Sequence, residues 1–177
     1  MADNILIRNS TEADITAIKS IYDYEVHHGL ATFDETPRPY SSHIEKRAEV
    51  LKLGLPHLVA EIDGQVIGYS YAVKYRGERS GYRYTLENSV FIAKDYHRMG
   101  VGSLLLQKLL DGCNHGPWRQ MVAVIGDSDN YGSIGLHTKF GFHRACLFTS
   151  VGFKLGRWVD SVLMQRALGP GDSILPD

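Results

Sequence analysis

The stretch with the clearest chemical content is His97-Arg98-Met99-Gly100-Val101-Gly102-Ser103, between an apolar run ending at Ile92-Ala93 and a leucine-rich helical pattern over 101–110. A helix N-terminus offers amide N–H groups without intrahelical partners and the positive end of a dipole, and glycines let a ligand approach closely. A pyrophosphate suits such a turn. The same two glycines also suit a plain strand-to-helix turn, and the spacing is neither a Rossmann fingerprint nor a P-loop. Upstream, Glu87 sits mid-strand among apolar neighbours, either on a solvated face or buried for a purpose. A buried carboxylate of raised proton affinity suits the removal of a proton from an amine. His137 lies one turn beyond Ser133 in a short helical pattern, where it either packs under the helix or handles a proton. Asn130, at the mouth of that helix, is a natural N-cap. Arg76 and Arg83 flank a polar loop before the Glu87 strand; sharing a pocket, they suit bidentate capture of a carboxylate or of tetrahedral acid oxygens. Phe33 and Glu35 belong to a Pro-bounded loop. Cys113 and Cys146 fall in no metal-ligand or nucleophile motif, so neither a metal nor an acyl-enzyme is expected.

Positioning these residues requires a definite series of elements. A short strand at 5–8 precedes a helix opened by Ser10 or Thr11 and stopped at Gly29. Two prolines keep 31–39 out of regular helix. Ser41 or Ser42 is expected to cap a second helix reaching Leu53. Asp63-Gly64 between β-rich runs at 57–62 and 65–73 signals a hairpin. A third long strand is expected over 82–93, then the 101–110 helix, a buried strand at 121–125, a short helix at 133–140, and strands near 143–151 and 158–166. The expected class is mixed α/β with a mostly antiparallel central sheet flanked by helices. One domain over 1–168 is expected, with 169–177 as a frayed tail.

The chain has 177 residues and a formal net charge of -1, which advertises neither nucleic acid nor an anionic membrane as a partner. Two cysteines without a pairing pattern suit a reducing compartment. Residues 1–8 carry neither the basic nor the apolar segment of a secretory leader, and no apolar run is long enough to cross a bilayer. The expected location is cytoplasmic.

The 97–102 loop resembles the acetyl-CoA loop of the GCN5-related N-acetyltransferase (GNAT) family, Arg/Gln-x-x-Gly-x-Gly/Ala, through His97, Gly100 and Gly102. His97 stands where the family has Arg or Gln; the backbone cradle does not depend on that side chain. The run 82–92, with Glu87-Asn88-Ser89-Val90-Phe91-Ile92, is similar to the phosphinothricin and methionine-sulfoximine acetyltransferase branch. So are 122–125, 133–142 and 151–160, and Phe33-Asp34-Glu35-Thr36-Pro37 resembles that branch's substrate-side loop. The resemblance implies a GNAT fold, acetyl-CoA as co-substrate and a small amine acceptor of phosphinothricin, methionine sulfoximine or methionine sulfone type. It implies Glu87 as general base and His137 near the reaction centre. Val90, Phe91, Ile92, Arg98, Met99, Gly100, Val101, Gly102, Ser103, Asn130 and Ser133 fall in its cofactor site. Arg76, Arg83, Phe33 and Glu35 fall on its substrate side. Related proteins are commonly homodimers, and the apolar strand near Trp158 offers an interface. Two other readings fit the same residues: acetylation of a peptide, protein or other small amine, and a non-catalytic CoA-binding sensor.

Overall fold

The Asp63-Gly64 pair adopts positive φ at both residues, 50° and 81°, the two-residue turn whose twist matches a hairpin. In the computed structural model, which describes residues 4–77 and 79–176, it joins β2 (His57–Ile62) to β3 (Gln65–Lys74). Residues 1–3, Glu78 of the polar loop and Asp177 of the tail lie outside the described residues. β1 (Leu6–Asn9) pairs with the outer edge of β2, and β4 (Thr85–Ile92) with the far side of β3, all antiparallel.

Two helices follow β1: α1 (Ile15–His28), which stops at Gly29, and α2 (Tyr40–Lys52). The expected serine cap of α2 is not what begins it. The helix starts after Pro39, whose φ of -63° already suits a helix entry, and Ser41 and Ser42 lie inside the first turn. Thr11 does mark the preceding turn, its N–H donating to Asp14 Oδ2 at 2.7 Å. The third strand begins three residues later than expected because Ser80–Tyr82 closes a 3-10 turn, with the Arg83 N–H donating to the Ser80 carbonyl.

A crossover through α3 (Val101–Cys113) returns the chain to β5 (Gln120–Gly126), the one strand parallel to its neighbour among the described pairs. Then α4 (Tyr131–Lys139) leads to a hairpin of β6 (His143–Lys154) and β7 (Arg157–Ala167). β7 inserts beside β5, leaving β6 as the edge, so the order is β1-β2-β3-β4-β5-β7-β6. The mixed, mostly antiparallel sheet expected from the sequence is the one found.

Each face of the sheet has its own core. Leu105, Leu106, Leu109 and Leu110 of α3 pack with Leu58, Leu86, Met121 and Val162 on one side. Ile15, Ile18, Tyr22 and Val26 of α1 pack with Val59, Tyr69 and Phe91 on the other. Beyond β7, Leu168 is fully buried and its N–H donates to the Arg119 carbonyl at 2.9 Å.

Candidate active site

β4 and β5 run side by side only from Thr85/Gln120 to Asn88/Ala123. Beyond that point β5 stays with β7 while β4 stays with β3, so β4 residues 89–92 pair on one edge alone among the described residues. The gap opens into a cleft of about 970 Å³ that reaches both faces of the sheet.

Alternation along β4 sends Glu87, Ser89 and Phe91 to the α1 face and Asn88, Val90 and Ile92 to the α3 face. The register seats Glu87 beside Val73, Ser89 beside Tyr71 and Phe91 beside Tyr69. Burial raises the Glu87 pKa above its ordinary value, with the nearby Lys46 charge pulling the other way. Tyr22, Glu25, Arg38, Lys46, Tyr71 and Val73 complete this half of the cleft.

The other half is built of backbone. The turn into α3 passes through two left-handed residues, Arg98 at φ 63° and Gly100 at φ 86°, which curl successive amides into a concave, anion-favouring surface. Gly102 faces Leu136 of α4, where a Cβ would stand 3.2 Å from its Cδ2. The His97 ring nitrogen Nε2 lies 3.0 Å from the Ile92 carbonyl oxygen, tying the loop to the end of β4. Asn130 is the N-cap of α4, its Oδ1 accepting from the Ser133 N–H at 3.1 Å. An elongated ligand carrying amides and a pyrophosphate fits the one-sided strand edge followed by a helix N-terminus.

His137 belongs to this second half. Its Nδ1 lies 2.8 Å from the Ser133 carbonyl oxygen and its Nε2 3.0 Å from Asn88 Oδ1, while burial holds its pKa below the ordinary imidazole value. Both ring nitrogens are thus committed to neighbours other than Glu87. The Asn88 amide also reaches the Val122 carbonyl at 3.3 Å, at the last paired position before the strands part.

Of the residues singled out in the sequence, Glu87, His137, Phe33, Asn130, Ser133, Val90, Phe91 and Ile92 line the cleft, as do Arg98 and residues 100–103. Met99, Glu35, Arg76 and Arg83 do not. Arg76 lies over the Tyr75 and Tyr82 rings and Arg83 over Tyr84, with an Arg83 Nη1 donating to the Ser80 carbonyl.

The wall formed by residues 30–33 is fixed by parts that carry no motif. Gly126 of β5 leaves room for the Leu30 carbonyl, which an added Cβ would meet at 2.0 Å, and Gly152 of β6 leaves room for the Phe33 ring. Lys154, 1% exposed, donates to the carbonyls of Glu25, Gly29 and Thr32 at 2.9, 2.9 and 2.7 Å. The sequence assigns Lys154 no role; a lysine closing β6 after Val151-Gly152-Phe153 is its only signal.

A cleft at the parting of two parallel strands has a glycine-bearing helix N-terminus on one side and a half-buried carboxylate on the other. Residues 19–142 match the acetyltransferase (GNAT) family, and the chain belongs to it; it is an acetyl-CoA-dependent N-acetyltransferase. It is 50% identical over 171 residues to a phosphinothricin N-acetyltransferase of Alcaligenes faecalis, covering 97% of this chain and 86% of that one. It is 35% identical to an L-methionine sulfoximine/L-methionine sulfone acetyltransferase of Salmonella typhimurium, covering 92% and 94%. The crystal structure of a phosphinothricin acetyltransferase from Sinorhizobium meliloti in complex with acetyl-CoA superposes with a TM-score of 0.93 at 36% identity, covering 98% and 94%. No helix among the described residues is long and apolar enough to cross a membrane. No metal-holding cluster of three or more His, Cys, Asp or Glu occurs among them.

Proposed function

We propose that the protein acetylates the amino group of a small amino-acid-like acceptor of the phosphinothricin, methionine sulfoximine or methionine sulfone type, by direct attack with Glu87 as general base. The observation that carries this is the placement of Glu87: a half-buried carboxylate of raised pKa at the strand parting, on the face opposite the α3 turn. Acetyl-CoA supplies the activated thioester when bound. The α3 turn and Asn130 hold its phosphate side, and the one-sided edge of residues 89–92 offers amides to its pantetheine and to the thioester carbonyl. Glu87 removes a proton from the acceptor ammonium, and the free amine lone pair is then able to attack the thioester carbonyl, forming the amide C–N bond as the C–S bond breaks and CoA would leave as its thiolate. His137 holds Asn88 at the branch point and so fixes where Glu87 is presented.

The test is thiol release from acetyl-CoA with methionine sulfoximine, phosphinothricin, ordinary amino acids and a lysine peptide as acceptors. Turnover is expected on the first two. Turnover on the peptide alone replaces this reading with protein acetylation, and no turnover on any amine leaves a CoA-binding protein.

Two further parts of the reading concern setting. The protein works in the cytoplasm as a homodimer, joined along the β6–β7 hairpin. Trp158, Val151 and Phe153 there are 65%, 60% and 54% exposed, a contiguous apolar edge of the sort that another chain covers. Sedimentation at micromolar concentration is expected to give twice the 19.8 kDa chain mass, and Trp158→Glu to return the monomer. A wild-type monomer under those conditions removes the dimer from the reading.

A further inference from the structure

An amino acid brings two charges to the cleft, only a few ångströms apart. Its ammonium must lie against Glu87 to lose a proton, so whatever reads its carboxylate must stand close to Glu87 as well. Arg76 and Arg83 do not meet that condition: both lie outside the cleft, stacked on tyrosine rings. Arg38 and Lys46 do line it, on the same face as Glu87.

The two cations come from neighbouring elements and are differently prepared. Arg38, between the two prolines that precede α2, lies over the Tyr22 ring at 5.5 Å and donates through Nε to Asp34 Oδ2 at 2.5 Å. Asp34 in turn accepts from the Tyr22 hydroxyl at 2.5 Å, so the guanidinium is anchored at one edge. Among the described residues nothing takes its Nη groups, which leaves the planar fork available for an oxyanion. Lys46 projects from α2; its ammonium donates to Glu49 at 2.6 Å, a contact with a half-exposed carboxylate that binding energy easily exceeds. Its charge is also the one that acts on Glu87.

From this placement we infer that Arg38 and Lys46 are the anion-reading residues of the acceptor site, and that they hold the acceptor's carboxylate. Amines lacking an acid group beside the amine, including amidated amino acids, peptide N-termini and lysine side chains, are then poorer acceptors, because they forgo the charge-assisted contacts to both cations. The inference rests on the amino-acid acceptor proposed above.

The experiment compares wild type with Arg38→Gln and Lys46→Gln, using methionine sulfone and methionine sulfone amide as acceptors. Each variant is expected to raise the KM for the free acid at least about tenfold, the range for losing one charge-assisted contact. The KM for acetyl-CoA should change little in both, and the preference for the free acid over the amide should fall, a split that simple misfolding does not produce; Lys46→Gln also moves the alkaline rise of kcat/KM upward, because the charge that lowers the Glu87 pKa is gone. Arg76→Gln and Arg83→Gln are measured alongside. Acid selectivity unchanged in Arg38→Gln and Lys46→Gln, or lost instead in Arg76→Gln or Arg83→Gln, overturns the inference while leaving the amino-acid acceptor standing. A wild-type enzyme inactive on every free amino acid overturns both.

Discussion

Glu87→Gln is expected to lower kcat by about 10²–10⁴-fold, the usual contribution of a positioned general base, with the KM for acetyl-CoA little changed. Gln fills the same space and keeps a polar group at the parting of the strands, but it cannot accept the ammonium proton. The wild-type pH profile carries the same signature. Burial raises the Glu87 pKa and Lys46 pulls it part of the way back. The base acts only when ionised, so kcat/KM rises with pH through that raised value. In the variant this limb disappears, and the residual rate follows only the acceptor's own deprotonation. The stability sign runs the other way. A carboxyl whose folded pKa lies above its unfolded value is a charge that the folded state disfavours at neutral pH. Glu87→Gln should therefore be no less stable than wild type, which separates lost chemistry from lost fold. Unchanged turnover near neutral pH would sink the general-base role.

Lys154→Met is expected to cost about 3 kcal/mol of stability, since it leaves buried carbonyls without their donor. For a chain of this length that is a fall in Tm of roughly 6–12 °C. Lys154 is 1% exposed, and its ammonium donates to three carbonyls spread over residues 25–32. It sits at the last turn of α1, where the negative end of the dipole favours a cation and the Glu25 carbonyl also accepts from the Gly29 N–H. The same contacts hold the loop that carries Phe33 into the cleft. Methionine matches the length and loses all three donors. Acceptor KM is accordingly expected to rise more than acetyl-CoA KM, because the loosened segment walls only the acceptor half. A Tm within about 2 °C of wild type, measured by scanning calorimetry, would show that water replaces the ammonium at no cost.

Most of the frame was legible because local chemistry and global fold agree in it. Asp63-Gly64 specifies its turn by backbone preference, the four α3 leucines specify a buried face, and the two glycines of the α3 turn specify a close approach. The resemblance supplied what periodicity does not, the roles proposed for Glu87 and His137. The failures share a cause. Ser41 and Ser42 carry the right side chains for a cap, but Pro39 fixes the chain first and the helix starts ahead of them. Arg76 and Arg83 are close to Glu87 in sequence, yet they leave the strand through turns and stack outward. Arg38 and Lys46 are distant in sequence and enter the cleft only because α1 and α2 fold onto that face. Lys154 contacts residues more than 120 positions away, and nothing local in its strand announces this.

The early parting of β4 from β5 bears on the life of the molecule as well as on its chemistry. Among the described residues, 89–92 pair along one edge of their strand alone, and the proposed binding mode lays the amides of acetyl-CoA along the other. A ligand that binds only the folded chain stabilises it by mass action, about 2.7 kcal/mol at a hundred times its Kd. With that binding mode, resistance to unfolding and to proteolysis rises with the concentration of acetyl-CoA around the protein.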